Sequence, residues 1–290
     1  MAPVTDLLEA TVPVTTPARF SRSIVARTQG RHHGPVTRIV SPGDLGELIK
    51  PFVFLDYFDF MPSSDALFPM HPHSGIATIT VLLSGNLSYE DTTGASGVLS
   101  AGSVEWMNAG NGVWHDASPA DRERFHGYQM WIALPRELEN GEPQTQYLPA
   151  RAIPHVGPAR VILGSYGSAH SPVLAPKGIN YLHVRLNAGE HWRYVPPAGH
   201  TVAWTHVHRG ELHVAGERLL DELAVFSESE DAIDLTADGD AEFIFASAVK
   251  HPHDLVLGYY SVHTSEAALQ AGEDQIARIG EQLRSRGRIR

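Results

Sequence analysis

A chain of 290 residues is long enough for one large domain or two of ordinary size, and either would bury an adequate core without covalent staples. It contains no cysteine, which excludes disulfides, iron–sulfur clusters and cysteine nucleophiles and leaves nitrogen and oxygen as the donors for any transition metal. With 33 acidic against 22 basic residues the formal charge is -11, which argues against a polyanion-binding surface and leaves nucleic acid out as a direct partner.

Residues 1–20 are rich in Pro and Thr without apolar periodicity, so a flexible lead-in is expected there. That segment lacks the basic start and apolar core of a secretory leader, and no stretch of the chain approaches the roughly 20 apolar residues of a membrane helix. A cytoplasmic protein without membrane partners is expected. From there onwards short β-rich runs alternate with Gly, Pro, Asn and Asp. They include VTRIV (36–40), PFVFL (51–55), IATITVLL (76–83), SVEWM (103–107), GYQMWIAL (127–134), YLHVRL (181–186), HTVAWTHV (200–207), LAVF (223–226), EFIFASAV (242–249) and LVLGYYSV (255–262). Such spacing predicts an all-β sandwich or barrel. One helix is expected after a cap at Thr264 or Ser265, with Leu269, Ile276, Ile279 and Leu283 as its packing stripe.

An internal repeat aligns ITVLLSGNL (79–87) with WTHVHRGEL (204–212), setting Gly85 on Gly210 and Leu87 on Leu212. Each copy reads as a strand, a tight turn and a strand, so two similar β units fit the length, with a boundary near 144–160. The same offset carries His71 and His73 onto Pro196 and Ala198, confining whatever those histidines do to the first copy.

Histidine, at 17 residues, is the compositional oddity. On an extended strand residues i and i+2 share a face, so His71 and His73 in MHPHSG can point at one spot. An isolated H-x-H is a weak signal, but AGSVEWMNAGNGVWHDASP (101–119) delivers a third imidazole, His115, after a strand and a series of glycine turns.

PFVFLDYFDF (51–60), HPHSG (71–75), GNGVWH (110–115), HGYQMWIALP (126–135) and HPHDLVLGYYSVHTS (251–265) together resemble, in order, the pirin family of two-domain cupins over roughly residues 20–270. The resemblance implies two tandem cupin barrels, double-stranded β-helices of jelly-roll type, followed by a C-terminal α-helix. It places a metal-bearing barrel in 21–150 and a barrel without metal, plus the helix, in 151–290. It also makes His71, His73 and His115 the ligands of one divalent transition metal, Fe(II) first, with Ni(II), Cu(II) or Zn(II) able to take the same donors. The chain departs from the pattern at two places. Pirins carry a glutamate two residues after the third histidine, where this chain has Ala117, and cupins often carry one four residues after the second, where it has Ala77. Asp116 faces the opposite way from His115 on a regular strand.

The expected chemistry is that of a quercetin 2,3-dioxygenase-like oxygenase lacking its usual glutamate, acting on a small electron-rich aromatic or enolic substrate; no catalytic residue is assigned. A non-enzymatic metal-dependent regulator or protein-binding cofactor is the competing reading, and a degenerate cupin without metal is the third. His126 reads as a structural histidine, His206 and His208 as surface or interdomain residues without a third ligand, His251 and His253 as loop residues, and His32 and His33 as solvated. Trp114 is read as core or as the rim of the pocket. No nucleotide-binding or serine-hydrolase motif is present.

Overall fold

The computed structural model describes residues 22–62 and 68–289; the expected lead-in over 1–20 lies outside the described residues. Strands form where both faces of a run can be buried. In Ile76–Ser84 the alternation sends Ala77, Ile79 and Val81 to one side and Thr78, Thr80 and Leu82 to the other, and all six are buried. A strand covered on both sides reads as a nearly continuous apolar run.

Four antiparallel sheets carry the architecture. The first pair comprises a seven-stranded sheet, in which Ile76–Ser84 lies between Val104–Asn108 and Phe125–Ala133, and a four-stranded sheet running Phe68–His73, Val113–Pro119, Leu87–Asp91, Ser96–Leu99. The second pair repeats this plan. Its seven-stranded sheet contains Glu222–Phe226, Val202–Arg209, Ala241–Ala248 and Ile179–Leu186, and its four-stranded sheet runs His191–Tyr194, Ile233–Ala237, Leu212–Val214, Glu217–Leu219. This is the arrangement expected of tandem cupin barrels. The repeat is structural as well: Gly85 and Gly210 both take positive φ, at 80° and 77°, and both abut the backbone entering the next long strand.

The two seven-stranded sheets meet face to face. One buried cluster contains Ala77, Ile79, Val81, Trp106 and Met130 from the first and Tyr181, Trp204, Val225, Ile244 and Ala246 from the second. The interior of the second barrel is a separate cluster around Trp192, Phe243 and Phe245.

Sheet membership departs from the expected boundaries at both ends. Ile24–Thr28, placed by the sequence reading in the first barrel, pairs with Glu222–Phe226 at the edge of the second barrel's large sheet. The helix Glu266–Ser285, grouped with the second barrel, packs on the first. Its Ser265 cap accepts from the Ala268 N–H as expected, and Ile276 and Leu283 are buried. Close approach depends on glycine: a Cβ on Gly280 would lie 2.8 Å from the Trp114 ring. Trp114 therefore faces the helix, donating its Nε1–H to the Ile276 carbonyl at 2.8 Å, and does not rim a pocket beside His115. The run 255–262 is likewise no single strand. Gly258 and Ser261 close a turn between Val256–Leu257 and Val262–His263. Among the described residues no helix is long and apolar enough to cross a membrane.

Candidate metal centre

Phe68–His73 pairs antiparallel with Val113–Pro119, setting His71 directly opposite His115 and His73 opposite Val113. Strand alternation then turns His71, His73 and His115 toward one point, with ring centres 4.5–5.2 Å apart. The Nε2 atoms of His71 and His115 lie 3.1 Å apart. That separation suits two nitrogens bound at roughly 2.0–2.1 Å to one ion.

The outward nitrogens explain the orientation. His71 Nδ1 faces the Pro69 carbonyl at 2.8 Å and His73 Nδ1 the Tyr260 carbonyl at 3.0 Å. A carbonyl can only accept, so each Nδ1 carries the hydrogen and each Nε2 keeps its lone pair pointing inward. His73 is wholly buried and its Nε2 has no hydrogen-bond partner. Burial, helped by the charge His115 would carry, lowers His71 to about 3; burial, with its two histidine neighbours, holds His73 well below its ordinary value. Both are neutral near pH 7, the form that ligates.

His115 has a different outer partner. Its Nδ1 lies 3.7 Å from Glu105 Oε1, both side chains are 1% exposed, and neither Glu105 oxygen has a hydrogen-bond partner. The carboxylate thus stands behind the ring on the side away from the shared point, at a distance too long for a hydrogen bond, and His115 Nδ1 is likewise without a partner. Sequence reading passed over Glu105; in the structure Val104 and Trp106 face the second barrel, so alternation turns Glu105 into the first. Glu105→Gln should lower divalent-metal affinity about 10-fold, the lower end of the range for such outer partners, with little change in melting temperature. Equilibrium dialysis against nickel(II) measures this, and an affinity equal to wild type would remove Glu105 from the site.

Beside His71 opens a cleft of about 470 Å³. Phe54 and Trp131, stacked with ring centres 4.0 Å apart, form one wall, and Tyr260 belongs to another. Arg38 lies 3.8 Å over the Phe54 ring and pairs with Asp56, and Gln129 completes a polar margin. The carbonyl that orients His73 belongs to a segment that crosses from the second barrel, where Ser74 bridges to Ser261 and Glu139 accepts from Thr264.

A family model described as Pirin matches residues 35–132. A Pseudomonas aeruginosa protein bearing the name "putative quercetin 2,3-dioxygenase" is 33% identical over 259 residues, covering 83% of this chain and 90% of its own length. Arabidopsis thaliana Pirin-1 is 31% identical over 206 residues, 70% of each chain. The chain belongs to the pirin family. Its fold matches the crystal structure of an Acinetobacter baumannii quercetin 2,3-dioxygenase at a TM-score of 0.82, with 24% identity over 89% of this chain and 98% of that one. It also matches a bacterial pirin from Escherichia coli in complex with nickel(II) at 0.62, with 20% identity over 79% and 96%.

Ala117 stands where the family resemblance leads one to expect a carboxylate. Ala117 is buried among Phe58, Leu82 and Phe125, next to a void of about 20 Å³ that Asp56, Thr80 and Gln129 also line. Asp116 faces away, beside Glu90, as strand geometry requires. Ala77 points to the second barrel, not into the site. In that barrel, register puts Tyr194 opposite Ile233 as His71 stands opposite His115, so no imidazole occupies the matching place. Strand pairing thus shifts the correspondence from Pro196, where the sequence offset had placed it, to Tyr194. His32 and His33 are exposed, with His33 at the cleft margin, and His126 contacts Tyr57 Oη at 3.2 Å. Of the two places expected for His206 and His208, surface or interdomain, the structure gives the second. Both side chains are buried between the sheets, and His208 does have two further ligand-type neighbours, His183 and Glu242. Sequence spacing could not reveal them, because they come from two other strands.

Proposed function

We propose that this pirin holds one divalent transition metal, Fe(II) first, on His71, His73 and His115 and oxygenates a small electron-rich aromatic or enolic substrate that enters as an anion. The carrying observation is the convergence of three imidazoles at the edge of an aromatic-walled cleft, two of them with the inward Nε2 freed by a carbonyl behind. The 33%-identical Pseudomonas relative, by its name, supports the same chemistry. Iron(II), nickel(II), copper(II) and zinc(II) all accept three imidazoles, so donor type alone does not choose among them. A bound ion would supply Lewis acidity toward the substrate oxygen and a means of engaging dioxygen.

The chain's own residues do the rest. Phe54, Trp131 and Tyr260 offer flat apolar surface to a planar ring, and the Arg38 guanidinium on the same wall attracts its negative charge. Three neutral ligands leave the charge of a divalent ion uncompensated, which favours an anionic guest. The proton of an acidic hydroxyl has no acceptor at position 117. Asp56, the carboxylate on the cleft wall, is held by Arg38; burial raises its carboxyl from the ordinary value against the lowering effect of that guanidinium.

Ala117→Glu tests the reading. If the missing carboxylate limits the reaction, turnover of a flavonol by the iron-loaded variant, followed as loss of the substrate's visible band, should rise at least about 10-fold over wild type. A flat rate with a folded, metal-replete variant overturns that account of position 117. The same missing base favours a second reading, a metal-dependent regulator that binds a protein partner. Absence of consumption by wild type and variant with every metal tried would move the assignment there. A cytoplasmic setting belongs to the proposal and is checked by cell fractionation.

A further inference from the structure

The second ligand-type cluster lies between the barrels. On three neighbouring strands of the second large sheet, alternation turns His183, His208 and Glu242 toward the first barrel. The register of Val202–Arg209 on Ala241–Ala248 slips between Val207 and Arg209, leaving His208 as the extra residue of a β-bulge beside Glu242. His183 Nε2 lies 2.8 Å from Glu242 Oε1 and His208 Nε2 3.8 Å from the same oxygen; one ligand atom from each residue falls within 4.8 Å of the others. The two imidazoles are 1% and 2% exposed and the carboxylate 9%.

Two observations point to a cation. His208 Nδ1 is engaged by Tyr128 Oη at 2.9 Å, as a ligating imidazole's outer nitrogen commonly is, while its Nε2 is buried without a hydrogen-bond partner. Its distance from the carboxylate oxygen is too long for a hydrogen bond, yet under twice the roughly 2.0–2.2 Å of a zinc–ligand bond. Arg185 at 2.9 Å and Arg209 at 3.3 Å share the carboxylate, but both guanidinium side chains are 63% exposed and their charge is screened.

We propose that His183, His208 and Glu242 form a second divalent-cation site of zinc(II) type, independent of the His71–His73–His115 centre and structural in role. Tyr128 belongs to the first barrel and also bonds His206 Nδ1 at 2.7 Å, so an ion on the second sheet would tighten the junction of the two barrels. The site does not occupy the second barrel's cupin position, which Tyr194 and Ile233 fill. An ion there must compete with Arg185 for Oε1.

The test uses full-length protein without a polyhistidine tag, stripped by chelator and titrated with zinc(II). Wild type should take two equivalents, His115→Ala one, and His115→Ala with Glu242→Gln none. Arg185→Ala should bind the second equivalent more tightly, by up to about fivefold, the worth of an exposed ion pair. A single equivalent in wild type that His115→Ala abolishes, or an equivalent that survives in His115→Ala with Glu242→Gln, overturns the proposal. Because changes at this junction can disturb folding, zinc-soaked wild-type crystals supply an independent reading. An anomalous peak among His183, His208 and Glu242 is expected, and a peak confined to the His71 centre rejects the site.

Discussion

His73→Ala lowers metal affinity at the first-barrel centre by more than about 100-fold, beyond the range for losing an outer partner such as Glu105. His73 is fully buried, its Nδ1 is tied to the Tyr260 carbonyl and its Nε2 has no other partner. Removing it leaves two imidazoles, which hold a divalent ion weakly; it also forfeits the Nδ1–H bond to the Tyr260 carbonyl and the packing of a buried ring on Trp131, a loss of about 1–3 kcal/mol from the fold. The measurement is nickel(II) or anaerobic iron(II) binding in a Glu242→Gln background, so that one site is counted. An affinity within tenfold of the parent would mean that the three rings do not share an ion. Circular dichroism melting of the metal-free forms separates this result from misfolding.

Trp204→Ala destabilises the protein by about 3–5 kcal/mol, the cost of truncating a large aromatic in a packed core. Trp204 is 1% exposed at the centre of the contact between the two large sheets, edge-on to Phe52 at a centroid distance of 5.6 Å. Its Nε1 makes no hydrogen bond, so truncation forfeits packing alone. Urea denaturation of the metal-free protein gives the value. A loss below about 1 kcal/mol, the ordinary effect of a point mutation, would show that the sheets do not depend on this contact.

Much of the first site was legible before any coordinates. His71 and His73 two residues apart on a strand must share a face, and the glycine turns before His115 mark where a neighbouring strand begins. The Ser265 cap and the stripe through Ile276 and Leu283 announced the last helix. What that helix packs on was not legible, because its stripe records only that something apolar covers it. The same holds for Ile24–Thr28, whose pairing with residues almost 200 positions away leaves no local trace. The neighbours of His208 were hidden for a related reason: His183 and Glu242 come from two other strands, and the spacing along its own strand does not display them.

The sequence by itself determined an all-β chain built twice over, closed by one helix, with three histidines on adjoining strands of the first copy. Those features follow from side-chain alternation, turn chemistry and capping, which act over a few residues. Only the tertiary structure decided that Glu105 stands behind His115, that the Tyr260 carbonyl orients His73, that the terminal segments cross to the opposite barrels, and that His183, His208 and Glu242 meet under Tyr128. Each of these contacts joins residues distant in the chain. Such pairings are selected by which buried faces fit together once the sheets have formed, and no short-range pattern encodes that fit.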